Sequence, residues 1–275
     1  MTLAVGKQEE KYTPGLSKGA SAIEEIRRLL AVWVPGEDDQ TFLTRVRESG
    51  LLGQQTADRT RDIVFRVFRR RLLRPTDQPG RWLKRIIERD ETSRTFKELL
   101  FLYTARAESL LYDFTIERFW PACEAGELYL VVEDVKSFLR ETIDNNGRGE
   151  PWSPAVQTKI SRGVLGALRD FGFLNEERRG RREIVRYYPT DFTVAYLAYE
   201  LHLAGLTDGL LVEHSDWRLF GLNREQVLNR LDELDKRAGL IVQRAGSVVS
   251  ITWLHPAMEE LIVAYTSGNP TGSRL

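Results

Sequence analysis

Apolar residues recur at three- and four-residue spacing through the first half of the chain, the pattern of helices that turn one face to a core. Ser21 and Glu24 stand at capping-box spacing ahead of Ile26, Leu29 and Leu30. Asp39 is placed to cap a second helix that ends at Gly50. Residues 56–74 read as one long helix stopped by Pro75, and Pro79-Gly80 breaks the chain before a short helix over 82–88. From Ser93 the longest pattern runs through Phe96, Leu99, Leu100, Leu102 and Tyr103 toward Phe114 and Phe119. A kink is expected at Pro121 and an end at Gly126. The expected product is a helical bundle over 16–127.

Beyond Gly126 the pattern changes. The apolar run 128–132 precedes a short helix over 133–142 and a turn at Asp144-Asn145-Asn146-Gly147. Ser153-Pro154 supplies an N-cap with proline at the first helical position. The helix that follows runs to Phe171-Gly172, with Val156, Ile160, Val164, Ala167, Leu168 and Phe171 on its apolar side. Two apolar segments flanking 176–183 then read as a β-hairpin. The same order returns later. Asn223 caps a helix through Val227, Leu228, Leu231 and Leu234, which stops at Gly239. Leu240-Ile241-Val242, a turn at Ala245-Gly246, and Val249, Ile251 and Trp253 alternating with Ser250 and Thr252 form a second hairpin. The fold class expected is mainly α: an N-terminal helical bundle followed by two winged-helix-like units with short β-hairpins. The first unit covers 128–190, and the second, with an added helix, 191–266. Residues 1–15 and 267–275 are expected to be disordered tails.

Composition excludes several classes. In 275 residues, forty Lys and Arg balance forty Asp and Glu, so no overall field draws the chain to polyanions and placement of charge matters more than its sum. No apolar stretch approaches the roughly 18 residues of a membrane helix. The first eleven residues carry charge without an apolar signal core. With a single cysteine, Cys123, the expected location is the cytoplasm, with no membrane and no disulfide framework.

Enzyme signatures are sparse. The sequence has no phosphate-binding loop, no dinucleotide fingerprint and no zinc-type histidine pair. Asp134-Val135-Lys136 after the apolar run fits part of a metal-dependent nuclease pattern, and equally the acidic first turn of a helix. Cys123 reads as a buried helical thiol. We therefore expect no enzymatic activity, no metal and no small-molecule cofactor.

Basic residues carry more information. On a helical wheel Arg59, Arg66, Arg69 and Arg70 share one face, either a solvated stripe or a phosphate contact. The helix after Pro154 places Thr158, Lys159, Arg162 and Arg169 opposite its apolar side, together with Gly163 and Gly166. Each mid-helix glycine costs ~1 kcal/mol relative to alanine, which points to close approach by a phosphate or a protein element. The hairpin that follows carries Arg178, Arg179, Arg181 and Arg182 around Gly180. A basic helix beside a basic wing is the winged-helix means of gripping duplex DNA. The second unit's helix shows Glu225, Asp232, Glu233 and Lys236 instead, a face for structure or protein docking.

Several stretches together resemble a known family. They are Trp152-Ser153 through Leu165-Gly166-Ala167-Leu168-Arg169-Asp170-Phe171-Gly172-Phe173-Leu174, Asp216-Trp217-Arg218-Leu219-Phe220, and Ala245-Gly246-Ser247-Val248-Val249 with Trp253. These, and the segment from Tyr103 to Phe114, are similar to the BrxA family of bacteriophage-exclusion (BREX) defence systems. The resemblance implies a small cytoplasmic DNA-binding accessory protein with a NusB-like bundle and winged-helix elements. It implies double-stranded DNA and other BREX components as partners, and supplies no catalytic residues. The expected function is non-catalytic binding of duplex DNA; the alternatives are a protein-docking scaffold of the same system and a metal-dependent nuclease.

Overall fold

The computed structural model describes residues 5–7, 11–18, 21–89, 94–146, 148–149, 152–176, 178–234, 238–246 and 248–267. It is mainly helical, with two small antiparallel sheets. Helix α1 (Ile23–Val32) starts from Ala22 in left-handed geometry, with no side-chain cap. The expected capping box does not form, because the Ser21 hydroxyl donates instead to Asp170, at 2.5 Å. Helix α2 (Asp39–Glu48) is capped by Asp38, one residue before the position expected. Its carboxylate accepts from the Gln40 and Thr41 amides, at 3.0 Å each.

The long helix expected over 56–74 forms as α3 (Ala57–Asp62), a π-helical stretch (Ile63–Arg69) and α4 (Arg70–Leu72), with Thr56 as its cap. Pro79 does not break the chain but lies in the first turn of α5 (Gln78–Ile87), where its missing N–H costs nothing. The following pattern gives α6 (Arg94–Ala107), α7 (Ser109–Phe114), a π-helical stretch (Thr115–Phe119) and α8 (Trp120–Glu124). The sharp departure from helical backbone is at Glu108 (φ −120°, ψ 85°) rather than at Pro121. The wide turn ahead of Pro121 accommodates the donor that proline lacks.

Strand β1 (Tyr129–Val131) leads into α9 (Val132–Asn146). This helix carries on through Asp144, Asn145 and Asn146, where a turn was expected; Gly147 lies outside the described residues. Helix α10 (Pro154–Asp170) is followed by β2 (Arg181–Glu183), then α11 (Asp191–Leu203), α12 (Asp208–Val212) and a 3₁₀ turn (Ser215–Phe220). Helix α13 (Arg224–Leu234), strands β3 (Leu240–Ala245) and β4 (Val248–Trp253), and α14 (Met258–Ser267) complete the described chain. Asn223 and Gln226 cap α13 reciprocally, at 3.0 and 2.9 Å.

The sequence divides more cleanly than the core does. Phe101 of α6 meets Phe171 and Phe173 at 5.4 and 4.5 Å, and Phe220 at 5.9 Å, so bundle and both later units share one aromatic cluster. Helix α14 returns to pack on α5 and α11, with the Trp82 indole donating to Glu259 at 3.2 Å. Nor do residues 11–15 form a disordered tail. Tyr12 is buried, its hydroxyl donating to Asp113 at 3.1 Å, and Pro14–Lys18 form a 3₁₀ turn against α10. Of the C-terminal tail expected over 267–275, residues 268–275 lie outside the described part.

Candidate nucleic-acid interface

Helix α10 begins as its sequence requires. The Ser153 hydroxyl accepts from the Val156 amide at 3.5 Å, and Pro154 fills the first turn. Ile160, Val164, Leu165, Ala167 and Leu168 are buried; Lys159 and Arg162 are exposed. Val156, expected on the buried side, is exposed in the first turn. The two glycines separate in role. A Cβ on Gly163 would lie 2.9 Å from the Leu16 carbonyl oxygen, whereas one on Gly166 would meet nothing within 4 Å. The close approach expected at Gly163 is therefore made by the chain's own N-terminal turn. Gly172, at φ +91°, ends the helix in a Schellman motif: Phe173 N–H donates to Leu168 and Gly172 N–H to Arg169.

That motif turns the chain into the wing. Leu174 bridges Ile184, and β2 pairs antiparallel with β1, with Leu130 opposite Arg182 and Val131 opposite Arg181. At the tip, Arg178 and Arg181 exchange backbone hydrogen bonds of 2.8 and 3.0 Å across Arg179 and Gly180. Both central residues have positive φ (+52° and +77°), the type I′ pattern that matches the twist of paired strands. The side chains of Arg178 and Arg181 are directly cross-strand, an arrangement of like charges that is unfavourable without a counter-anion.

Two of the predicted contacts are turned to other work. Arg182 points inward from β2 and is buried. Arg169 donates to Asp170 at 2.7 Å and pairs with Glu176 at 3.2 Å; the Asp170 hydrogen bond, above all, holds its guanidinium pKa above the usual value. Lys159, Arg162, Arg178, Arg179 and Arg181 have no carboxylate partner among the described residues.

The N-terminal stripe disperses. The π-helical stretch Ile63–Arg69 turns by more residues than the 100° wheel assumes, and neighbouring acids take up its cations. Arg66 pairs with Asp62 at 3.1 Å, Arg69 with Asp39, and Arg70 with Glu108 at 3.6 Å; Arg59 is half-buried.

Asp134 belongs to the helix start. It accepts from the Val131 amide at 2.7 Å and pairs with Arg118 at 2.8 Å. Among the described residues no cluster of three or more His, Cys, Asp or Glu is arranged for a metal. Burial pushes the Cys123 thiol up to about 11, away from nucleophilic duty. Of the described helices none is long and apolar enough to cross a membrane.

Sequence reasoning missed what surrounds the wing. Tyr129, exposed on β1, lines a concavity of about 760 Å³ with Asn175, Glu176, Arg178, Arg179, Arg181 and Glu183. A second hollow joins Lys97, Arg94 and Arg186 to the buried Tyr187. Read as one strand with Leu130 inward, the run 128–132 already places Tyr129 outward, because side chains alternate.

The chain is thus mainly helical, with a basic helix, α10, leading into a basic wing at 178–181. The BrxA family model matches residues 10–200, and the chain belongs to that family of BREX phage-defence proteins. No curated protein matches the sequence. Among solved structures, an uncharacterised protein from Magnetospirillum magneticum is similar, with 15% identity and a TM-score of 0.57 over 70% of this chain and 95% of that one. At that identity the likeness concerns the fold.

Proposed function

We propose that this protein binds double-stranded DNA through α10 and the 178–181 wing, and serves its BREX system by binding rather than catalysis. The carrying observation is the set of five exposed cations, Lys159, Arg162, Arg178, Arg179 and Arg181, on one helix and the adjoining wing with no carboxylate partner among the described residues. The element order supports it: β1, α9, α10, the isolated Leu174–Ile184 bridge, the wing and β2 against β1 follow a winged-helix plan. In this reading α10 enters the major groove and the wing follows the phosphates, in the cytoplasm, alongside other BREX components. Helix α13, with Glu225, Asp232 and Glu233 exposed, repels phosphate and favours protein docking.

The test is anisotropy of unrelated duplexes over a salt series. Replacing the five cations by alanine should weaken binding similarly for all sequences and shrink the log–log salt slope by roughly 0.9 for each phosphate no longer neutralised. A folded variant with unchanged slope and affinity removes this interface.

A further inference from the structure

We propose that the outer face of the wing sheet is a stacking platform for unpaired bases of single-stranded DNA, centred on Tyr129; this rests on the reading of the adjoining helix and wing as a DNA grip. Tyr129 is 45% exposed on β1, whose central Leu130 alone is buried, and it lines a concavity of about 760 Å³. That volume lies in the range of ligand clefts, ample for a nucleotide. Tyr129 pairs with Glu183 and Val131 with Arg181, so the phenol ring and the Arg181 side chain share one face of the sheet. Arg178 lies directly opposite Arg181, and Arg179 adds a third guanidinium to the same wall.

Two acids, Glu176 and Glu183, stand among the described residues of this wall. Glu176 pairs with Arg169 at 3.2 Å, while Glu183 accepts from the neutral Asn175 side-chain amide at 3.0 Å and keeps its charge, so among the described residues of this wall three arginines stand against one carboxylate without a cationic partner. Three cations beside an exposed aromatic ring are the two parts of a single-strand site: phosphates on the arginines and a base on the ring. A duplex uses the arginines alone, since its bases are already stacked. The tyrosine thus adds a preference for frayed, nicked or displaced strands next to the gripped duplex.

The experiment compares labelled oligodeoxythymidine with a blunt duplex, using the full chain, Tyr129→Ala and Tyr129→Phe. Tyr129→Ala should lower affinity for oligodeoxythymidine roughly 5- to 100-fold. Its duplex affinity should stay within about twofold, as expected of an exposed substitution. Tyr129→Phe, which keeps the ring, should behave as the parent. Photo-crosslinking of a bromodeoxyuridine oligonucleotide should label the peptide that holds Tyr129. Oligodeoxythymidine affinity that survives Tyr129→Ala, a parent chain that does not bind it, or crosslinks confined to other segments would each overturn the platform. Loss of duplex binding in the parent chain strikes the grip instead, and the oligodeoxythymidine comparison still decides the role of Tyr129.

Discussion

Arg179 sits at φ +52°, in the left-handed region where a Cβ costs about 1–2 kcal/mol. Glycine or asparagine would form this turn with less strain, so the charge is kept at a cost to stability, a pattern found where a side chain serves a ligand. Arg179→Gly should separate the two. Relief of strain is offset by roughly 0.4–1 kcal/mol of added unfolded-state entropy, so stability should hold or rise by up to ~1.6 kcal/mol. Duplex affinity should fall, and the salt slope should shrink by roughly 0.9. An unchanged slope in urea-verified folded protein would show that Arg179 does not touch phosphate. The neighbouring arginines are not equivalent to it. Arg178 and Arg181 are exposed at the tip, while Arg182 is buried beneath it. Arg182→Ala therefore removes packing and polar contacts of the fold and is no test of DNA contact.

Between elements, the two glycines of α10 give a matched pair. Gly163→Ala drives a methyl to 2.9 Å from the Leu16 carbonyl oxygen, a backbone atom held by its 3₁₀ turn, and should cost about 1–3 kcal/mol. Gly166→Ala meets open space and should stabilise the helix by up to ~1 kcal/mol. Urea melts of the two variants that move in the same direction would refute the close approach of the N-terminal turn. That turn also shows why part of the fold was legible in sequence and part was not. Local chemistry was readable: Ser153-Pro154, Asn223 and Gly172 mark helix ends wherever a cap or a left-handed residue suffices. Contacts set by distant residues were not. Ser21 is drawn from its helix to Asp170, and Arg69 and Arg70 are drawn from solvent to Asp39 and Glu108. Glu108, not Pro121, breaks the long helix, its buried carboxylate facing Arg70, Arg71 and the backbone at Gly15. Of the candidate site, the charges were visible in sequence; their sorting into exposed, inward and paired arginines required the third dimension.

Across the whole molecule, a buried polar network joins segments far apart in sequence. Arg106 of α6 pairs with Glu200 of α11 at 2.9 Å and with Asp216 of the 3₁₀ turn at 2.8 Å. Tyr103 donates to Glu200, Tyr112 to Asp216, and the Gly6 amide to Asp216 at 3.1 Å. Arg106→Met would strand two buried carboxylates and should cost about 3–5 kcal/mol or more, seen as a large fall in the urea midpoint. His214 stands at the edge of this network, its Nδ1 accepting from the Asp216 amide at 3.3 Å. Burial lowers its pKa below the usual value of about 6.5, against the pull of Asp216. His202, stacked on Trp253 at 4.2 Å, is lowered for the same reason. For a base so shifted, the unfolded chain binds more protons than the folded one below about pH 6.5, so stability falls as pH drops from about 7 toward the lowered folded pKa. His214→Asn keeps a side-chain acceptor for the Asp216 amide and removes the titrating group. Its melting temperature should match the parent near pH 8 and fall less steeply between about pH 7 and 5. Parallel curves for the two proteins through that window would mean that His214 titrates in the folded state as it does in the unfolded chain.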